Sequence, residues 1–279
     1  MIASQRTLRT IANIIETTPQ AILLVGNEGA GKQFVAKHIA AQILQLSRDA
    51  LDNHQYYLEI EPTKNVISIA EVRRITKHLQ LKTIGSQKIR RIVVIADAHT
   101  MTTEAQNALL KTLEEPPEDT IILLTSKSKT DLLPTILSRL SSVDIMPLSL
   151  QEASELFNEH NLQSSYALSE GNIGTLHALI NDSEHPVTSA IQLAKQLLTM
   201  KPIQRLASIS TIVKDKQSHA LLDALMIIAR TGKNAASTKS QTAAAQKWNT
   251  ILAHTLRAKQ QLLSNGQNKL VLTNLFINM

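Results

Sequence analysis

The sequence predicts a parallel α/β sheet built around a phosphate loop, followed by a region that is helical throughout. Three observations carry this. Four short apolar runs, at 22–25, 56–60, 92–95 and 120–125, each lead toward a helical repeat, the alternation that gives a doubly wound parallel sheet. Between the first run and its helix lies Gly26-Asn27-Glu28-Gly29-Ala30-Gly31-Lys32, which reads GxxxxGK in the strand-to-helix context a phosphate loop requires. From Leu150 onward the periodicity is helical, broken only by polar punctuation.

Taken in order, residues 4–17 predict a helix with Leu8, Ile11, Ile14 and Ile15 on one face. Ile22-Leu23-Leu24-Val25 is too short for a helix and suits a strand buried on both faces. The loop glycines allow backbone N–H groups to close around phosphate oxygens, and Lys32 adds a point charge. Gln33 to Leu46 continues as a helix whose N-terminus faces that site. Tyr56 to Ile60 reads as a strand stopped by Pro62, and Ile69 to Leu81 as an amphipathic helix with Ile69, Val72, Ile75 and Leu79 inward. Arg73, Arg74 and Lys77 are then left outward. Ile92 to Ile95 is a buried strand ending in Ala96-Asp97, where open α/β sheets place their ligands. Thr102 or Thr103 N-caps the next helix, which Pro116-Pro117 stops. Thr120 to Thr125 is the fourth strand, and Pro134 to Leu137 a short helix before Ser138-Arg139.

Beyond Met146-Pro147 the reading is helices at Gln151–Glu159 and Thr175–Ile180, the latter after the turn Gly171-Asn172-Ile173-Gly174. Thr231 to Gln246 is polar and low in complexity, and reads as a connection between helices. The organisation expected is an α/β domain over 1–147, a small helical unit over 148–185, and a helical bundle over 186–279.

Composition narrows the function. The chain has no cysteine, which excludes disulfides and thiolate metal sites, and its nine histidines show no ligand spacing. His99, close after Asp97, reads as structural. No apolar run reaches a membrane span and the N-terminus has no signal-peptide block, so a cytoplasmic location is expected. The net charge of +6 is unevenly spread: −1 over 1–63, +7 over 64–91, −10 over 92–194 and +10 over 195–279. Such a partition suits docking against other subunits or contact with a polyanion, or it belongs to solvated helical faces. Aromatics make up only 3% of the chain, which argues against a base-stacking platform. Nucleic-acid contact, if made, would be to phosphates, with Arg73, Arg74 and Lys77 as the candidate residues.

The phosphate loop, the Asn107-Ala108-Leu109-Leu110-Lys111-Thr112-Leu113-Glu114-Glu115-Pro116-Pro117 segment and Pro134-Thr135-Ile136-Leu137-Ser138-Arg139 together resemble the clamp-loader branch of AAA+ proteins in bacterial DNA polymerase III. The resemblance covers about 21–147 and is architectural beyond. It implies an AAA+ module with a helical lid at 148–185 and an oligomerising collar at 186–279. The implied partners are gamma/tau-type ATPase subunits, a delta subunit, a sliding clamp and primer–template DNA. Relatives often carry a four-cysteine zinc module after the phosphate-loop helix, which this chain cannot form.

ATP hydrolysis at such a loop needs Mg²⁺ held by a Ser/Thr hydroxyl after the lysine and an Asp on the second strand, plus a residue that orients water. Here Gln33 follows Lys32, and Ala96-Asp97 stands where the resemblance implies two acids. Both losses fall on the Mg²⁺ shell, so the expectation is a non-catalytic subunit needing no cofactor. Gly26, Gly29, Gly31 and Lys32 either still hold a phosphate group or persist only as a turn. Ser138-Arg139 matches the family's Ser-Arg-Cys motif, with Leu140 in place of the cysteine. The resemblance implies that Arg139 acts in trans on a neighbour's ATP; the plainer reading pairs it with a local carboxylate. Ser126 falls at the family's first sensor position and reads as a local hydrogen-bonding residue. Two rivals stand: an active gamma/tau-type ATPase with Mg²⁺ held by other residues, and a stand-alone DNA-binding AAA+ protein.

Overall fold

Five parallel strands in the order β2-β3-β4-β1-β5 form the centre of the first unit of the computed structural model, which describes residues 3–84, 88–157, 162–182 and 184–279. The strands are β1 (Ala21–Val25), β2 (Tyr57–Ile60), β3 (Arg91–Ile95), β4 (Thr120–Ser126) and β5 (Ser141–Asp144). The helices are α1 (Gln5–Thr17), α2 (Lys32–Leu44), α3 (Arg48–Leu51), α4 (Ile69–Leu79), α5 (Thr103–Glu114), α6 (Pro134–Leu137) and α7 (Leu150–Leu156). The chain divides into two compact units, Met1–Glu152 and Ala153–Met279.

Every residue of β1, β3 and β4 is buried, as strands covered on both faces must be. Alternate residues supply two separate cores. Ile22, Leu24, Ile92, Val94, Ile121 and Leu123 pack with α1 and α2, through Ile11, Ile14, Val35 and Ile39. Leu23, Val93, Ile95, Ile122 and Leu124 pack with α4, α5 and α6, through Val72, Ile75, Ala105, Leu109 and Ile136. The phosphate-loop helix and the helix preceding Arg139 therefore lie on opposite faces of one sheet.

The structure departs from the sequence reading in several places. In α1, Leu8 is exposed and Thr7 takes the inward position, where its hydroxyl accepts from Met146 N at 3.1 Å. The fifth strand, β5, has no sequence signal, because Ser141-Ser142-Val143-Asp144 buries only Val143 along the sheet edge. The +7 stretch is less basic at the surface than its sequence suggests. Arg91 is only 2% exposed, and its guanidinium donates to the carbonyls of Leu79, at 2.6 Å, and Leu81, closing the C-terminus of α4. Arg90 pairs with Asp119 at 3.2 Å.

The second unit is helical throughout its described residues: α8 (Leu162–Ser169), α9 (Ile173–Asn181), α10 (Pro186–Thr199), α11 (Pro202–Lys214), α12 (Ser218–Thr238), α13 (Thr242–Leu263) and α14 (Asn268–Ile277). Residues 158 and 159 of the helix expected to reach Glu159 lie outside the described residues. One core runs through Ile191 and Leu197 of α10, Ile212 of α11, Leu222 and Leu225 of α12, Leu262 of α13, and Leu272 and Phe276 of α14. The expected connection at Thr231–Gln246 is wrong. Only Lys239, Ser240 and Gln241 separate α12 from α13, which form a long helical hairpin. Ala236 is buried there, and Trp248 packs flat against Gly232. None of the helices is long and apolar enough to cross a membrane among the described residues.

Candidate functional site

β1 delivers the chain into the phosphate loop, and two left-handed residues shape it. Gly29 (φ 78°) and Gly31 (φ 74°) adopt a region that side chains with Cβ disfavour, and Gly31 caps α2 without any side-chain hydrogen bond. Lys32 is 7% exposed, and its ammonium donates to the loop's own carbonyls, Gly26 O at 2.9 Å and Asn27 O at 3.0 Å. Burial depresses its pKa below the usual lysine value, opposed by Asp97, reinforced by Lys127 and opposed again by Glu28. The lysine is thus internally satisfied, and an incoming phosphate would have to displace two carbonyls.

Gln33 turns away from the loop. Its side-chain amide donates to Glu59 Oε1 at 2.7 Å and Glu61 Oε1 at 2.5 Å, spanning from α2 to the end of β2. Glu59 also accepts from Lys37 at 2.9 Å and from the Tyr57 hydroxyl at 3.1 Å. Burial, together with Glu59, raises the Tyr57 pKa far above the usual phenol value.

At the end of β3, Ala96 carries no ligand atom and is buried. Asp97 adopts a left-handed backbone (φ 47°), and its N–H donates to Thr125 Oγ1 at 2.9 Å. Its carboxylate lies 3.9 Å from His99 Nδ1, a buried nitrogen with no hydrogen-bond partner. Burial lowers the His99 pKa, opposed by Asp97. Ser126 is fully buried and donates to Ser128 O at 2.8 Å, a local bond. These residues do not fit a Mg²⁺ shell. The position after Lys32 presents an amide committed to β2, Ala96 has no oxygen ligand, and Asp97 stands alone. Among the described residues no group of three His, Asp or Glu side chains is placed to hold a metal.

Arg139 lies just past α6 and is 34% exposed in its side chain. One guanidinium nitrogen donates to Thr135 O at 2.6 Å and to Ser138 Oγ at 3.2 Å. A second donates to Glu114 at the C-terminus of α5, at 2.7 Å. The position of α6 is itself fixed by Gln106, a buried residue of α5 that accepts from Leu133 N at 2.9 Å. Neither Gln106 nor Glu114 stands out in the sequence as a partner of the Arg139 segment, since these bonds link residues distant along the chain. Arg73, Arg74 and Lys77 are exposed together along α4, as expected.

The family described as "DNA polymerase III, delta subunit" matches residues 4–149. The chain is 36% identical over 136 residues to the DNA polymerase III subunit delta' of Pseudomonas aeruginosa, a match covering 43% of this chain and 40% of the relative. It is 23% identical over 230 residues to the subunit delta' of Bacillus subtilis, covering 77% of this chain and 66% of that one. The matches thus span less than two thirds of either relative's length. Among solved structures, a DNA polymerase III gamma subunit-related protein from Thermotoga maritima superposes with a TM-score of 0.61 at 24% identity, covering 97% of both chains. That likeness speaks for the AAA+ fold of the sheet module with its helical continuation.

Proposed function

The chain belongs to the DNA polymerase III delta-subunit family, and from that membership we propose that it is a delta-prime-type part of a bacterial clamp loader, inert at its own nucleotide site and supplying Arg139 to a neighbour's. Its partners on this reading are gamma/tau-type ATPase subunits, a delta subunit, the sliding clamp and, through the assembly, primer–template DNA. It needs no cofactor of its own. Arg73, Arg74 and Lys77 face outward on α4, a placement that suits DNA phosphates.

One observation carries the reading: no hydroxyl follows Lys32 and no carboxylate stands at position 96, whereas Arg139, past α6, is present and exposed. Gln33 is bonded to Glu59 and Glu61, and Lys32 to the loop's own carbonyls, so the site is closed by its own side chains. Arg139, by contrast, sits at the surface with one carboxylate partner. A planar guanidinium supplied across an interface stabilises charge on a transferring phosphoryl group and can be worth about 10³–10⁵ in rate. The test mixes Arg139→Ala with unaltered ATPase subunits and measures ring assembly and DNA-stimulated ATP turnover together. Assembly should persist and turnover fall. Full turnover by a fully assembled mutant ring would remove the finger.

A further inference from the structure

Between Ala224 and Met279 the chain has no Asp or Glu, although an even spread of its 23 acidic residues would put about five there. The same stretch has seven Lys and Arg residues. On the α12–α13 hairpin some are already engaged: Arg230 faces Glu170 at 3.7 Å, Lys259 pairs with Asp223, and Lys233 donates to the neutral Asn249 at 2.9 Å. Lys239, Lys247 and Arg257 are exposed, and their side chains have no hydrogen bond or ion pair among the described residues.

Their placement is ordered. Lys239 sits at the hairpin's tip, as the residue just after α12, where it caps the helix. Positions 247, 250, 254 and 257 recur on one flank of α13, spaced by three or four residues. From Lys247 to Arg257 the helix rises about 15 Å. Each strand of a DNA duplex carries one phosphate per ~3.4 Å of axis, so about four pass along such a flank.

We propose that the tip and this flank of the α12–α13 hairpin form a phosphate-backbone contact for DNA, separate from α4 and indifferent to base sequence. The chemistry of the flank selects nucleic acid over a protein partner. Protein interfaces are depleted of lysine and enriched in aromatic residues at their cores. Here two of the three free groups are Lys, against one Arg, which protein interfaces also favour, and the one tryptophan of the chain is occupied against Gly232. The exposed apolar side chains of α13, Leu256 and Leu263, project from the other flank, where a protein would find its contact. Lys and Arg that lack carboxylate neighbours give up only counterions when they meet phosphates.

The test uses the full chain and a short fluorescein-labelled duplex of mixed sequence, with anisotropy titrations repeated across a salt series. The triple variant Lys239→Gln/Lys247→Gln/Arg257→Gln should bind more weakly. Its slope of log K against log salt should be shallower by about 2.7, or about 0.9 for each phosphate no longer neutralised. A second triple variant, Lys195→Gln/Lys214→Gln/Lys216→Gln, makes the same change in net charge on α10 and just at the end of α11, and should leave the slope within about one unit of wild type. Circular dichroism and Trp248 emission confirm the fold of each. An unchanged slope in the hairpin variant overturns the proposal. So does an equal loss in the second variant, which would make the effect one of net charge alone. Undiminished DNA binding with weakened binding of a poly-glutamate peptide would also overturn it, by assigning the flank to an acidic protein.

Discussion

Arg139 and Glu114, 25 residues apart, meet through a 2.7 Å hydrogen bond that draws the guanidinium back against the C-terminus of α5. The same side chain bonds Thr135 O, four residues earlier, so it lies folded back along α6. To reach a phosphate on a neighbouring subunit it must exchange one exposed carboxylate for a more highly charged group.

Glu114→Gln is therefore expected to release Arg139 for the role proposed for it, without unfolding anything. Exposed ion pairs contribute about 0.2–1 kcal/mol, so the unfolding midpoint should scarcely move. In the assembled ring the apparent KM for ATP at the adjoining site should fall, by no more than about fivefold on that energy scale, with kcat unchanged. Steady-state kinetics across a salt series checks this, since screening should erase the difference. A raised KM would mean that Glu114 supports the extended arginine instead.

The isolated chain should show no ATP turnover, and Lys32→Ala should not alter that. Gln33→Thr restores the missing hydroxyl but not the carboxylate absent at Ala96, so it too should stay inactive. It should also be less stable, because Glu59 and Glu61 lose a shared donor and are left facing each other. The loss should be about 1 kcal/mol, below the usual 1.5–3 for a charged hydrogen bond because the site is exposed. Urea unfolding with a coupled phosphate-release assay covers both outcomes.

Gly232→Ala should destabilise the second unit even though alanine is the better helix former by about 1 kcal/mol. A Cβ at this position would lie 2.5 Å from the Trp248 ring, so the indole must move. The net cost should be about 1–3 kcal/mol, as for other overpacked sites. Trp248, the only tryptophan, should report it as a shift in emission before any loss of helical circular dichroism.

Stability should fall on acidification through three carboxyls of the first unit. Hydrogen bonding to the Ser68 backbone, outweighing slight burial, holds Glu71 low, and the Gln5 and Ser149 N–H groups do the same for Glu152. Asp119 is raised by burial, but bonds from Thr83 and Arg90 overcome this and leave it low. Groups depressed in the folded state stabilise fully above their unfolded values, 4.5 for the glutamates and 3.8 for the aspartate. That contribution drains away as pH falls through the lower folded values. Urea midpoints should thus drop below about pH 4.5, and Glu71→Gln should flatten the drop.

Much of the first unit is legible in its sequence because buried parallel strands have little choice of residue. Ile92-Val93-Val94-Ile95 can hardly be anything else, whereas β5 hides because a polar edge strand buries one side chain in four. The α12–α13 hairpin misleads for a related reason. Its Ser, Thr, Asn and Gly suggest a loop, but Ala236 and the Trp248–Gly232 packing hold it as helix. At the site, the absence of a hydroxyl after Lys32 and of a carboxylate at position 96 can be read directly from Gln33 and Ala96. The partners that fill the gap, Glu59 and Glu61, cannot, since they come from another strand and only folding brings them under α2.

The two cores on either side of the sheet share one reading frame. Ile22 pairs with Leu123 and Leu24 with Val143, all facing α1 and α2, while Val93 pairs with Ile122 toward α4 and α5. Because the side-chain period of a strand is two, deleting one residue within β4 would send each set to the wrong face and scramble both cores at once. An insertion or deletion within these strands is consequently expected to cost far more than one in a connection outside them. The sheet acts as a ruler: it fixes the offset between α2, which follows the phosphate loop, and α6, which leads to Arg139.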